Sequence, residues 1–499
     1  MSAFLAPLAQ TVAPAHPPLS FGPVAPELIL VGTAIVLMLL DALLPTDDQE
    51  PAVFLSLAGV IGAAAWSLHL WFWKGPATVL GGTVATDRFT VFFRLVLLAV
   101  AAIGILLSYH YLDRAHEARG EYYPLLLFAT AGMTLITAAS DLIVVFLALE
   151  VLSLSLYLLT GFSFRRLASA EASMKYFLLG AFSSAFFLYG VALAYGASGT
   201  TNLARIGAKL SAQGGTSALA LGAAGLLGVG FLFKVSAAPF HMWTPDAYQG
   251  APTCVTAFMS AGTKVAAFAA FLRVFHVAFF SLASDWRPFI YVIAAVSIVV
   301  GSVLAIAQSN VKRMLAYSSV AHAGFVLVGF AAANQQGIQS AMFYLGAYAA
   351  MIIGAFGIVE LVSVRGEASI GLESYTGLAR RHPFAGAALA VFLLSLAGIP
   401  PTAGFIAKVA VFSAAIQTGL WPLVLLAVLA SVVAAFFYIR VIVLMYMREP
   451  EARADDAAIL DRAMINRLAI LGPAVLTILF GILPGILFGV LRSASVIRF

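Results

Sequence analysis

Phe233-Lys234-Val235-Ser236-Ala237-Ala238-Pro239-Phe240 closes an apolar run that opens near residue 216. About 20 residues at ~1.5 Å rise each reach across the ~30 Å hydrocarbon layer of a bilayer. This run nevertheless holds a lysine and stops on a proline. An ammonium at the bilayer centre costs about 2.5–3.5 kcal/mol even on the lenient insertion scale. Proline removes a backbone donor and clashes with the preceding turn, so the helix should break there. The freed backbone groups of a broken helix are tolerated in a membrane only where they face protein or internal water. Lys234 and its break therefore belong to the inside of a helical membrane protein.

The rest of the chain agrees. Of its 499 residues 62% are hydrophobic and 10% charged, and the mean hydropathy is +1.01. Soluble domains run near 45–50% apolar and about 25% charged. The apolar runs far exceed the ~10 residues of an outer-membrane strand, which leaves helices. Fourteen runs of spanning length can be counted, the first at 25–44, the seventh at 216–238, the twelfth at 384–417 and the last at 464–491. The expected fold is an all-α integral membrane protein of about 14 transmembrane helices. The single cysteine, Cys254, excludes a disulfide framework and a cysteine-based metal cluster and reads as a small buried residue. A net charge of +5 could suggest nucleic acid. The basic residues, however, sort into alternate loops rather than into a patch.

That sorting sets the orientation. With the N-terminus outside, the cytoplasmic loops hold Arg165, Arg166, Lys312, Arg313, Arg365, Arg380, Arg381, Arg448, Arg453 and Arg462 among others; the opposite side, with Arg498 at its end, holds far fewer. Both termini are expected in the periplasm. Residues 1–24 carry no Lys or Arg and lack the basic region of a secretory signal, so they read as a periplasmic tail.

The twelfth run is too long for one crossing and contains Gly398-Ile399-Pro400-Pro401-Thr402-Ala403-Gly404, a second break. Lys408 follows it as Lys234 precedes the first. Five spans separate the two breaks, so matching elements would enter from opposite faces, as in an inverted-topology repeat. The expected organisation is an N-terminal three-helix segment over 25–122 and a first five-helix repeat over 123–280 (spans 4–8). A second repeat follows over 288–447 (spans 9–13), then a C-terminal span and short tail over 464–499.

Five ionisable groups in these runs, Glu150, Lys175, Lys234, Lys264 and Lys408, would together cost on the order of 15 kcal/mol against lipid, so they must face inward. Glu150 lies about 14 Å into the fifth span and Lys264 about 20 Å into the eighth, both near mid-membrane. Lysine suits a proton relay because burial and neighbouring charge readily shift its protonation, whereas arginine stays protonated. Each group has a plainer reading. Glu150 could be a structural ion pair, and Lys175, four residues after Glu171, a helix-end pair. His322, in Ser318-Ser319-Val320-Ala321-His322, could be a hydrogen-bonded core histidine; a relay role is equally open. Arg94, Arg273 and Arg440 read as snorkelling side chains. No nucleotide, flavin, haem or metal motif appears.

The longer stretch from Phe233 through Pro239-Phe240-His241-Met242-Trp243-Thr244-Pro245-Asp246-Ala247-Tyr248-Gln249-Gly250-Ala251-Pro252-Thr253 resembles the antiporter-like membrane subunits of respiratory complex I, the proton-pumping NADH:quinone oxidoreductase. These share ancestry with multisubunit cation/proton antiporters. Matches continue at Leu147-Ala148-Leu149-Glu150-Val151, Glu171 to Tyr176, Asn310 to Ser319, and Gly398 to Lys408. The Tyr248-to-Thr253 ending and the presence of Lys408 are most similar to the subunit N branch. The resemblance implies that Glu150 pairs with and tunes Lys234, that Lys264 is the central relay, and that Lys408 hands protons outward. It implies a bacterial inner-membrane location beside a neighbouring antiporter-like subunit and small membrane subunits. FMN, iron–sulfur clusters and quinone would be held by partner subunits and no cofactor by this chain. Alternatives are a subunit of a cation/proton antiporter, a related ferredoxin- or F420-driven pump, or a scaffold whose charges are fixed ion pairs.

Overall fold

The structure is a computed structural model that describes residues 20–43, 49–75, 77–213, 217–363, 371–449 and 464–497. Arg365, Arg453, Arg462 and Arg498, and the expected periplasmic tail up to residue 19, lie outside these residues.

The chain is mostly helical. Helices α1 (Ala25–Leu43), α2 (Glu50–Leu70) and α3 (Arg88–Ala115) come first, with a two-stranded antiparallel hairpin, β1 (Thr78–Val79) and β2 (Val84–Ala85), before α3. Next come α4 (Tyr122–Ala138), α5 (Leu142–Thr160), α6 (Leu167–Ser198), a short α7 (Leu203–Ala212), α8 (Ala218–Lys234), α9 (Trp243–Gly250) and α10 (Thr253–Val277). The second half runs through α11 (Ala283–Ile306), α12 (Val311–Ala331), α13 (Gln335–Val362), α14 (Leu378–Arg381), α15 (Pro383–Ala397), α16 (Ala403–Gln417) and α17 (Trp421–Met447). The chain closes with α18 (Met464–Ile482) and α19 (Pro484–Ala494). Among the described residues ten helical segments are long and apolar enough to cross a membrane, or eleven if the bent pair α18–α19 is one span. Four more apolar helices, α4, α8, α15 and α16, are shorter.

Burial sorts these helices into a centre and a rim. The apolar window of α10 is 100% buried, and those of α12 and α13 are 94% buried, against 39% for α6 and α17. Residues on α10, α12 and α13 therefore face protein on every side. The outer helices present one apolar face outward, as a lipid-facing helix must.

Both expected breaks are present, and both are built the same way. At the end of α8 the Ala237 amide bonds the Leu232 carbonyl, with Ser236 in the left-handed region at φ 64°. At the end of α15 the Ile399 amide bonds the Leu394 carbonyl, with Gly398 at φ 85°. Each is the six-to-one bond of a Schellman cap, and proline follows shortly after in both, as is usual where a helix cannot continue. Aligning the two caps puts Pro239 opposite Pro401, but it puts Lys234 opposite Leu396 and Lys408 opposite Asp246. The breaks correspond in sequence; the lysines do not.

Other contacts recur at one constant offset along the chain. Gly132 of α4 packs against the Ala148 carbonyl and Leu152 amide of α5, and Gly301 of α11 packs against the Tyr317 carbonyl and Ala321 amide of α12. The bridge Asp141–Asn202 is matched by Asn310–Gly371 across an equal length of chain. Asp141 and Asn310 also cap α5 and α12 through their side chains.

Several expectations are corrected. Arg94 and Arg273 do not snorkel: both are buried, in bidentate pairs with Glu27 (2.9 and 3.0 Å) and Asp87 (3.0 and 2.8 Å). An arginine fork satisfied by a carboxylate is stable inside because each charge answers the other. Lys312 is not a loop cation: it is fully buried and donates to the Ala251 carbonyl at 2.6 Å, at the end of α9. The last run is not straight, because α18 and α19 meet at 89°, where Pro484 opens α19. The amphipathic α7 was not read from sequence; it is capped by Asn202 and buries Leu203, Ile206 and Leu210.

A Cβ on Gly301 would lie 2.4 Å from the Ala321 amide, whereas one on Gly472 would meet nothing within 4 Å. Gly301→Ala should therefore sharply lower the yield of folded chain surviving a heat step in detergent, while Gly472→Ala should leave it unchanged or raised.

Candidate proton path

The first ionisable group is set by α5, where Glu150, Ser153 and Tyr157 recur at the three- and four-residue spacing of one helix face. Lys234, the last residue of α8, points at this face. It is 2% exposed, and its Nζ donates to Ser153 Oγ at 2.7 Å and reaches Tyr157 Oη at 3.5 Å. The rings of Tyr157 and Tyr176 lie beside it at 5.5 and 5.8 Å. Glu150 does not form the expected direct pair. Its carboxylate accepts from Ser184 Oγ of α6, while Ser153, one turn on, takes the ammonium. Glu150 nevertheless lies on the same face of α5, one turn from the Ser153 that holds Lys234.

Lys264 sits in the middle of the fully buried α10 and is 2% exposed. Its Nζ donates to Ser319 Oγ at 2.6 Å and also to the Ser319 carbonyl, over the ring of Tyr348 at 5.3 Å. By the constant offset that relates Gly132 to Gly301, Ser319 is the counterpart of Glu150 and His322 that of Ser153. The α12 face that receives a lysine is thus the repeat of the α5 face that receives one.

His322 stands between the two inner lysines. Its Nδ1 is 2.7 Å from Tyr344 Oη and its Nε2 is 3.3 Å from Tyr438 Oη. Tyr438 is also hydrogen-bonded to Ser318. The Tyr348 ring lies beside both His322 and Lys264, and the Phe325 ring beside both His322 and Lys408. Lys408, 5% exposed, reaches back across the second break and donates to the carbonyls of Ala397 (2.8 Å) and Leu396 (3.3 Å), over the Phe325 ring at 4.8 Å. These carbonyls are the orphaned acceptors of a helix end, where the helix dipole also favours a cation. Because Leu396 is the counterpart of Lys234, Lys408 brings its ammonium to the matching place from the other side of the break.

Between the first two lysines, Tyr176 stacks on Trp243 at 4.4 Å and Trp243 meets Tyr248 edge-on. Among the described residues, the buried hydroxyls of Tyr176 and Thr263 have no hydrogen-bond partner. Among the described residues no carboxylate lies within ion-pair distance of Lys234, Lys264 or Lys408.

Lys175 is apart from this line. It is half exposed and bonds Glu171 at 2.7 Å and Asp246 at 3.0 Å, and Asp246 also holds Arg313 at 2.6 Å. This is the ion-pair reading, extended to tie α6, α9 and α12 together. Sequence reasoning missed the neutral partners Ser153, Ser319, Tyr344 and Tyr438, and the buried Glu360, which Arg114 and Asn466 hold. The three- and four-residue polar spacing on α5 and α12 was the available signal. Cys254 is buried with its Sγ 3.3 Å from Tyr122 Oη. Among the described residues, no three His, Cys, Asp or Glu side chains gather as a metal site.

Tyr344→Phe leaves His322 Nδ1 facing a ring edge. An unpaired buried polar atom costs about 1–3 kcal/mol, so the variant should melt measurably below wild type in detergent.

Known proteins share this sequence and fold. The family model described as "NADH:quinone oxidoreductase/Mrp antiporter, TM" matches residues 139–434. The NADH-quinone oxidoreductase subunit N of Rhodococcus opacus is 45% identical, with 96% of each chain covered. That of Trichlorobacter lovleyi is 45% identical over 87% of this chain and 88% of its own. Among solved structures, a chain of the Thermus thermophilus respiratory complex I with bound aureothin superposes with a TM-score of 0.78 at 36% identity, covering 93% of this chain and 98% of that one. A chain of the Mrp complex from Dietzia shares the fold, with a TM-score of 0.80 at 22% identity over 95% and 97%. This chain belongs to the NADH:quinone oxidoreductase/Mrp antiporter transmembrane family.

Proposed function

We propose that this chain is a proton-translocating membrane subunit of an NADH:quinone oxidoreductase and that Glu150, Lys234, Lys264, His322 and Lys408 carry the protons. The observation behind the relay is the string of buried lysines held by hydroxyls, carbonyls and ring faces. A lysine so held can release its proton without leaving a carboxylate stranded beside it, and can take one back from the next group. Glu150 places a carboxylate one helical turn from the Ser153 hydroxyl that holds Lys234. Lys264 exchanges with His322 through the Ser318, Ser319, Tyr344 and Tyr438 hydroxyls, and Lys408 receives from His322. The unpartnered Tyr176 and Thr263 hydroxyls offer polar anchors for water between Lys234 and Lys264. Lys175 serves as a rim ion pair.

Fourteen crossings follow if α8–α9, α15–α16 and α18–α19 each count as one. The recurring Gly132/Gly301 and Asp141/Asn310 contacts support two inverted repeats over 123–280 and 288–447, between the 25–122 segment and the 464–499 end. The excess of basic residues on one side supports an inner-membrane location with both termini in the periplasm. Quinone reduction, with FMN and iron–sulfur clusters, is assigned to partner subunits, and the outer faces to a neighbouring antiporter-like subunit, small membrane subunits and lipid.

A second redox setting has one observation in its favour. A chain of the archaeal membrane-bound sulfane sulfur reductase, a respiratory membrane complex, superposes with a TM-score of 0.81 at 26% identity. Purifying the tagged chain in mild detergent separates the two: NADH:quinone oxidoreductase activity should come with it, and an intact complex inert to NADH would assign another donor. In proton-tight vesicles Glu150→Gln should lower protons moved per electron, with Glu150→Asp keeping part of the wild-type ratio. Full pumping in both variants would refute the role of Glu150.

A further inference from the structure

Outside the proton path, a cavity lies at the end of α17 that carries Arg448. It is about 780 Å³ and opens to the surface. One wall is a face of α17 formed by Phe436, Ile439, Arg440 and Val443, with Arg448 just past the helix end; the other is Ser309 and the Gly371–Ser374 segment. Arg440 and Arg448 are exposed, and neither has a hydrogen-bond or ion-pair partner among the described residues. The one acid of the lining, Glu373, is also exposed and bonds neither of them. Two guanidinium groups against one carboxylate leave the cavity positive.

Its apolar wall does not end at the cavity. Leu425, Leu429, Val432 and Phe436 continue along the same helix, 53%, 58%, 69% and 58% exposed, an apolar stripe running into the membrane from the arginines. Eight residues separate Arg440 from Arg448, about 12 Å along a helix axis, and long arginine stems can converge over that span. A cationic mouth at the interface and an apolar groove leading away match one kind of molecule, with an anionic head and a hydrocarbon tail. A protein neighbour would need an acid for the arginines and a separate apolar ridge for the stripe.

We propose that this cavity binds an anionic phospholipid, its phosphate held between the Arg440 and Arg448 forks and an acyl chain lying along Phe436, Val432 and Leu429. Arginine suits the role because its planar fork meets phosphate oxygens two at a time. Basic pockets between helices on the cytoplasmic side are where such headgroups are recognised. The inference rests on the membrane fold and the proposed orientation, and is independent of the proton relay.

The test places the whole complex in nanodiscs containing either phosphatidylglycerol or phosphatidylcholine with a photoreactive group on the acyl chain, and maps labelled peptides. Phosphatidylglycerol should label the Leu425–Val443 stretch in clear preference, by about five-fold for each arginine engaged. Arg440→Gln with Arg448→Gln should abolish the preference, and Arg440→Lys should keep part of it. If the double variant does not assemble, raising the salt concentration on the wild-type complex should reduce the preference, since screening weakens exposed charge attraction. Equal labelling by both lipids would overturn the proposal. So would labelling by neither, which would mean that a protein neighbour covers the groove.

Discussion

A buried charge is stable only if something answers it, and what answers it decides whether it can change. This molecule uses two answers. Arg94 and Arg273 are clasped by Glu27 and Asp87, and Glu360 by Arg114. Removing one member of such a pair strands the other and costs about 3–5 kcal/mol. Lys234, Lys264 and Lys408 are instead held by serine hydroxyls, carbonyl ends and ring faces. These partners satisfy an ammonium, yet they leave no orphan charge when the ammonium becomes an amine. The Arg94 pair joins α3 to α1, and the Arg273–Asp87 and Arg114–Glu360 pairs tie α3 to α10 and α13; the three lysines are buried inside the bundle.

The broken helices make the second arrangement available. A continuous helix spends its carbonyls on its own ladder, whereas a helix ending inside the protein leaves its last carbonyls free. The second break gives Lys408 its seat on Leu396 and Ala397. The first ends α8 at Lys234 and turns that side chain toward α5. The same economy appears at Lys312, which covers the Ala251 carbonyl at the end of α9. The two halves solve the problem with different residues: an acid, Glu150, attends the first lysine, while its counterpart Ser319 attends Lys264. This asymmetry makes the two lysine seats chemically unequal.

Much of the fold was legible because a bilayer permits few alternatives. Length and apolarity marked the helices, and the Pro239 and Pro400-Pro401 breaks fell where proline forbids continuation. Glu150, Lys234, Lys264, His322 and Lys408 stood out as candidates because ionisable residues are conspicuous in apolar runs. Their partners were not, since a serine or tyrosine in such a run is unremarkable until a neighbouring helix is known. Arg94 and Arg273 were misread for the related reason that Glu27 and Asp87 lie far away in sequence, near helix starts where acids are ordinary. The Pro484 bend was missed because the apolar run continues through it. The family resemblance rested on the Phe233–Thr253 stretch, where the break, the lysine and the aromatic residues of the path are packed into one segment.

The proposed relay requires Lys264 to give up its proton, as opposed to merely carrying charge. Lys264→Arg separates the two, because a guanidinium stays protonated while keeping the positive charge. The decisive measurement is protons moved per electron in sealed vesicles by complexes carrying Lys264→Arg, with Lys264→Ala alongside to monitor assembly. A relay predicts assembled complexes that pass electrons with a sharply lowered proton ratio in both variants. A wild-type ratio in Lys264→Arg would contradict the relay and return Lys264 to the fixed structural charges.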